Sequence, residues 1–224
     1  MRNLAVFGIL GIFLGQLGRL LPGVGFLGFL FFPGISMAAS AAWMVFGSKV
    51  LKLKARDRLF DRLALSGSER VLDAGCGRGL LLIGAAKRLP SGQAVGVDLW
   101  RTVDQSGNHP DVTKQNAAAE GVAERIQIET GDLMALPFPD ASFDAVVSSW
   151  AIHNIPNAEG REKCLAEIRR VLKPGGRVEL LDIGPGAGYA ASFSAAGFLE
   201  VERGLDTVAF FIPTWRTRAK KPPG

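Results

Sequence analysis

An α/β fold, with a mostly parallel sheet preceded by a hydrophobic N-terminal hairpin, is predicted by three features of this 224-residue chain. From Arg70 onward, short apolar runs alternate with segments of helical spacing, the pattern of a parallel sheet covered on both faces. Three glycines at alternate positions, Gly75, Gly77 and Gly79, join the first run to the helical segment after it. Before residue 49 the chain is almost wholly apolar.

The N-terminal part comes first. Leu4 to Leu21 is apolar except for Gln16 and Arg19, and Gly23 to Phe46 carries no charge. An apolar run of about 18 residues or more suits a membrane-crossing helix, and Arg19 and Pro22 supply a break between the two. Residues 1–48 are therefore predicted to be a hydrophobic membrane anchor with two transmembrane segments. A single span or an interfacial hairpin are the alternatives, given Pro22, Pro33 and eight glycines from Gly8 to Gly34.

Residues 49–66 follow as a basic amphipathic linker helix, with Val50, Leu51, Leu53, Leu59, Phe60 and Leu63 set among charges. The same residues equally suit the first helix of the following domain, 67–224. Lys49 to Arg62 holds a net charge of +4 directly after the second apolar segment, which places that flank, and the domain behind it, on the cytoplasmic side of a membrane.

The net charge is +5, and a second cluster of +4 lies between Arg216 and Lys221, so the remainder of the chain is acidic. A nucleic-acid enzyme would carry basic charge around its site. Here the charge beside an apolar N-terminus points to an anionic membrane surface, with no nucleic-acid partner. Two cysteines, Cys76 and Cys164, and two histidines, His109 and His153, make neither a disulfide framework nor a metal cluster.

In the domain, strands are expected at 70–74, 94–98, 125–130, 143–149 and 177–183. Helices are expected at 79–89, 110–120 and 158–172, and a last pair of strands at 198–202 and 208–218. In an open α/β sheet, ligands bind beyond the carboxyl ends of the strands, so the loops there are the candidates. The spacing G-x-G-x-G differs from the G-x-G-x-x-G of dinucleotide sites. Asp73, just before the glycines, would repel a pyrophosphate and suit a cationic amino group. Asp98 ends the next strand 23 residues after Gly75, where an acid can hold ribose hydroxyls.

Val71-Leu-Asp-Ala-Gly-Cys-Gly-Arg-Gly79, Gly96-Val-Asp-Leu99, Gly131-Asp-Leu133, Leu136-Pro-Phe-Pro-Asp-Ala-Ser-Phe-Asp144 and Val171-Leu-Lys-Pro-Gly-Gly-Arg177 together resemble class I S-adenosylmethionine-dependent methyltransferases. The likeness is to the group that includes quinone and sterol methylases, and it runs from about Arg70 to Phe198. It implies a Rossmann-like sandwich with a reversed last strand and S-adenosyl-L-methionine as cofactor. It further implies that Gly75, Cys76, Gly77 and Gly79 form the loop against the methionine part, with Asp73 facing its amino group. By the same match, Asp98 holds the ribose, Leu99 packs at the adenine, Asp132 and Leu133 meet the adenine edge, and Ser149 contacts the cofactor.

The loop after the fourth strand lies where the methyl group would point. Trp150 would wall off water there, with Asn154 beside the acceptor. His153 is either a general base or a hydrogen-bonded support of the loop. Asp104 and Asn108, in the long loop after Asp98, would line a polar acceptor pocket; alternatively Asn108 or Asp111 caps the next helix. Asp182 to Gly188, after the fifth strand, is glycine-rich and shows no substrate anchor before Tyr189.

The expected protein is a membrane-anchored methyltransferase acting on a small or lipophilic acceptor, a quinone or lipid. An inactive S-adenosylmethionine-binding membrane adaptor and a nucleotide-cofactor oxidoreductase are the competing readings.

Overall fold

The computed structural model describes residues 2–103, 107–209 and 212–224. They form two compact units, the first of residues up to Leu53 together with Ala209, the second of Lys54–Val208 and Ile212–Gly224.

In the first unit, helix α1 (Arg2–Leu20) is followed by a 3-10 segment, Pro22–Leu30, with a kink at Val24, and by α2 (Phe31–Phe46). Pro22 starts the 3-10 segment because its fixed φ suits a first helical position. Helices α1 and α2 pack closely through glycine. A Cβ on Gly8 would meet the Ala38 backbone at 2.6 Å and one on Gly11 would meet Gly34 at 3.1 Å, while Gly15 and Gly18 touch Phe31 and Gly28 in the same way. Glycine costs helix stability, and here that cost permits backbone-to-backbone approach. The large side chains point outward instead: Phe7, Ile9, Phe13, Phe26, Phe29 and Phe32 are all exposed. Asn3–Leu20 and Gly23–Leu63 are long and apolar enough, by length and composition, to cross a membrane.

The helix begun in α2 continues through a π turn, Gly47–Leu51, into α3 (Lys52–Leu63). The basic amphipathic segment is thus the end of a longer helix. Ala55, Leu59, Phe60 and Leu63 of α3 are buried in the core of the second unit.

The second unit alternates as predicted: β1 (Arg70–Ala74), α4 (Leu80–Ala86), β2 (Gln93–Asp98), α5 (Pro110–Ala119), β3 (Ile126–Thr130), β4 (Phe143–Ser149), α6 (Ala158–Val171), β5 (Leu172–Asp182), α7 (Tyr189–Ala195), β6 (Leu199–Ala209) and β7 (Ile212–Lys220). The strands make one seven-stranded sheet in the order β3-β2-β1-β4-β5-β7-β6. Strands β1 to β5 run parallel, and β7 is antiparallel to β5, with Asp182 opposite Trp215. Leu82, Leu89, Leu59 and Phe60 cover one face, and Phe143, Leu165, Ile168 and Phe193 fill the other.

Several boundaries move. Strand β5 begins at Leu172, β6 is longer than expected, and β7 starts later, at Ile212. Helix α7 starts only at Tyr189, after a 3-10 turn over Gly184–Gly188. The cap of α5 is His109, whose ring accepts the Asp111 N–H at 3.3 Å, and not Asn108 or Asp111. The basic cluster near the C-terminus is largely spent inside the domain. Arg216 and Arg218 pair with Glu202, Lys220 pairs with Glu200, and Lys221 donates to the carbonyls of Arg169 and Leu172. On α3, Arg58 and Arg62 pair with Asp206, and Arg62 also with buried Glu179. These charges hold α3 against the sheet and do not form an open basic surface.

Candidate active site

The turn after β1 is shaped by glycine. Gly75, Gly77 and Gly79 all have positive φ, of +80°, +47° and +91°, a region that side-chain-bearing residues avoid. At Gly75 space is closed as well, because a Cβ would collide with Ala151. Leu133 and Ala151 both approach that point, so the loops after β1, β3 and β4 converge there. Gly79 is the left-handed residue just before α4.

Asp73 is buried, and its Oδ2 accepts the Leu82 N–H at 2.8 Å. Burial, with Asp98 nearby adding to it, pushes this carboxyl up to about 8. Its observed contact is with the first turn of α4, so it braces the glycine loop against the helix. Cys76 is buried too, and its sulfur lies against Gly96, where a Cβ would meet it at 2.8 Å. Only the Cys76 backbone faces the loop, and its amide donates to Val97 O.

Asp98 ends β2 within reach of the glycine turn. Its Oδ2 accepts the Gly77 N–H at 2.9 Å, and its Oδ1 accepts the Trp100 N–H at 2.7 Å and the Asn108 Nδ2 at 3.1 Å. Asn108 is only 4% exposed, and its Oδ1 is buried with no hydrogen-bond partner among the described residues. A buried amide oxygen left unpaired is costly, and this one sits beside the carboxylate expected to hold a ribose. Thr113 Oγ1 and Asn116 Nδ2, from α5, hold the carbonyls of Gly77 and Arg78. Leu99 is exposed beside them. Asp104 lies outside the described residues.

At the third loop, Asp132 Oδ1 accepts the Met134 N–H at 2.9 Å, and Leu133 is buried in the core. Ser149 ends β4 opposite Leu181. Trp150 follows with φ +53°, and its indole N–H donates to Thr214 Oγ1 at 3.1 Å. Positive φ at a tryptophan costs of order 1–3 kcal/mol, and the bonds to Leu181 O and Thr214 hold it there. Asn154 closes the short 3-10 turn through its backbone N–H to Ala151 O.

The residue the sequence reading passed over is Asp182. This buried carboxylate at the end of β5 accepts the His153 N–H at 3.0 Å, the Ile183 N–H at 2.9 Å and the Tyr189 hydroxyl at 3.1 Å, and lies 2.6 Å from His153 Nδ1. Burial and the neighbouring carboxylate raise the Tyr189 phenol, so it stays a donor. With Nδ1–H directed at Asp182, the neutral His153 carries its lone pair on Nε2. The His153 side chain keeps 21% exposure. A strand ending in an acid, before a glycine-rich loop and opposite a lone histidine, was the available signal.

The comparisons with known proteins agree with this geometry. Residues 71–176 match the family described as a methyltransferase domain. A demethylmenaquinone methyltransferase of Lactobacillus johnsonii is 34% identical over 128 residues, covering 57% of this chain and 49% of that protein. The ubiquinone/menaquinone biosynthesis C-methyltransferase UbiE of Dinoroseobacter shibae is 36% identical over 148 residues, 64% of this chain and 54% of its own length. The chain thus spans about half the length of these curated relatives. Among solved structures, the [4+2]-cyclase SpnF superposes with a TM-score of 0.64 at 21% identity, covering 77% of this chain and 81% of that one. An S-adenosylmethionine-dependent methyltransferase from Aquifex aeolicus gives 0.60 at 19%, covering 76% and 91%. These two show the fold, and a cyclase among them shows that the fold alone does not fix the reaction.

Residues 71–176 are thus similar to a methyltransferase domain, on a fold shared with S-adenosylmethionine-dependent methyltransferases. The two curated relatives above are both named for quinone methylation. The cofactor is S-adenosylmethionine, and the site suits it: a glycine turn without room for a side chain, an acid at the end of β2, and the orphaned Asn108 oxygen beside that acid.

Proposed function

We propose that this protein is a membrane-anchored methyltransferase that methylates a lipophilic hydroxyl-bearing acceptor of the hydroquinone type, with its catalytic domain on the cytoplasmic side. The observation that carries the reaction is the His153–Asp182 pair at 2.6 Å. When bound, S-adenosylmethionine supplies a methyl group on a sulfonium, already activated for displacement. Gly75, Gly77 and Gly79 let the backbone approach it without side chains in the way, Asp98 and Asn108 hold the ribose, and Asp132 and Leu133 receive the adenine. Trp150, fixed by Thr214, walls the reacting centre from water.

The chemistry left to side chains is removal of one proton. A phenolic hydroxyl attacks poorly through its ring carbon until that proton leaves. His153 Nε2 is the acceptor atom, and Asp182 holds the opposite nitrogen protonated and steadies the imidazolium that forms. Such a base contributes roughly 10²–10⁴-fold.

The anchor is supported by the arrangement in the first unit, where small residues meet and large apolar ones face outward. That arrangement suits lipid as the surrounding solvent. The relatives named for quinone methylation support a lipophilic acceptor.

The test is to incubate full-length protein in membranes with methyl-labelled S-adenosylmethionine and follow the label. Transfer into the lipid extract, with a 14-dalton increase in one quinone-class species, is expected. Label that stays in the cofactor, or passes only to water-soluble products, overturns the reading.

A further inference from the structure

Strand β7 runs antiparallel to β5, and Asp182, the last residue of β5, lies opposite Trp215. Ile212, Pro213 and Thr214 therefore extend past the carboxyl end of β5 by about 10 Å at the usual rise of a strand. This is the end of the sheet where the site lies, and Thr214 touches it directly through Trp150. The β6–β7 hairpin thus overhangs the active site.

Its polarity changes along its length. At the root, Glu200, Glu202, Arg216, Arg218 and Lys220 form cross-strand ion pairs. Farther out, Asp206 is held by Arg58 and Arg62. From Thr207 to Trp215 the sequence has no charged residue. Leu205, Val208 and Ile212 are 56%, 42% and 40% exposed there. Exposed apolar side chains gathered at one end of an edge hairpin mark a contact surface.

We propose that the overhanging end of this hairpin contacts the bilayer and forms the lip over which a lipid-soluble acceptor passes to His153. The proposal rests on the reading of the acceptor as lipophilic. A bilayer fits better than a soluble partner because the apolar end carries no charge for a partner to pair with. The ion-paired root lies at the depth where headgroups and water would begin. Leu205, Val208 and Ile212 all belong to the catalytic unit.

The experiment uses the full chain in phosphatidylcholine–phosphatidylglycerol vesicles. Leu205→Cys, Val208→Cys and Ile212→Cys are labelled singly with an environment-sensitive dye, with exposed Glu124→Cys as the control. The native Cys76 and Cys164 are both buried and stay unlabelled in the folded protein. Labels at 205, 208 and 212 should emit at shorter wavelength and lose most of their intensity when brominated lipid replaces ordinary lipid, while the label at 124 does neither. Flotation with the vesicles in carbonate reports the anchor separately, and label transfer to lipid reports the acceptor. Protein that floats, with the hairpin dyes as unresponsive to brominated lipid as the control, overturns the proposal. So does a blue shift that brominated lipid leaves unchanged, because protein then covers the surface.

Discussion

His153 Nδ1 lies 2.6 Å from Asp182 Oδ1, joining the loop after β4 to the end of β5 across 29 positions of sequence. The carboxylate is already committed to two backbone N–H groups and the Tyr189 hydroxyl, so it fixes the ring through Nδ1. This separates a catalytic histidine from a loop support, because only the former depends on which nitrogen carries the proton.

His153→Asn should lower turnover by roughly 10²–10⁴-fold, close to the loss in His153→Ala, because an amide cannot accept the proton. Asp182→Asn should fall in the same range. Its amide would donate to Nδ1, leaving the proton on Nε2 where acceptance is required. Tyr189→Phe removes one of several donors and should change turnover far less. Calorimetry should show S-adenosylmethionine affinity nearly unchanged in all of them. Full activity in His153→Asn would make the side chain a support.

Asn108 gives the cofactor site a second test. Asp98→Ala removes a charge-assisted contact and should weaken S-adenosylmethionine by about 1.5–3 kcal/mol. Asn108→Leu should cost about 1 kcal/mol through the lost Oδ1 acceptor and the released Asp98. The double variant should cost less than the sum, since the two side chains are bonded to each other. Strict additivity, read by calorimetry, would remove Asn108 from the ribose contact.

The glycine turn and the acid at Asp98 were legible in the sequence because each is local. Positive φ demands glycine at the spot, and a strand end demands no partner elsewhere. The reversed last strand was expected from the resemblance, although its length was not. What escaped was non-local. Asp182 gains meaning only when parallel pairing of β4 and β5 sets it beside His153. The basic tail suggested an open charged surface, yet antiparallel pairing with the sheet turns it toward Glu200 and Glu202. The start of α5 was legible at Pro110, but its cap was not, because His109, an uncommon cap, holds the Asp111 N–H.

Removal of residues 1–53 should leave a soluble unit that binds S-adenosylmethionine, because Ala55, Leu59, Phe60 and Leu63 stay to complete the core. Starting instead at Glu69 should destabilise it by several kcal/mol, as burial of those side chains is worth about 1.5–3 kcal/mol for each large one. Full-length protein should resist carbonate extraction from membranes. Release by salt alone would contradict the two-span anchor. Arg58 and Arg62 are engaged with Asp206 and Glu179, so the shortened protein should show little salt-sensitive binding to anionic vesicles.

Asp73 makes the stability of the domain depend on pH in a direction that can be worked out. Its carboxyl is raised from 3.8 to about 8 in the fold, chiefly by burial. Between those values the folded state holds a proton that the unfolded chain has lost, so folding is favoured by acid. The contribution is fully present below about pH 4 and declines as pH rises towards 8, by at most about 1.4 kcal/mol for each pH unit. Asp73→Asn keeps an oxygen for the Leu82 N–H and removes the ionisation. Urea unfolding of both proteins across pH 5 to 9 should show the variant gaining on the wild type as pH rises, with the difference levelling off above 8. A difference that stays constant over that range would mean that Asp73 is charged in the folded protein.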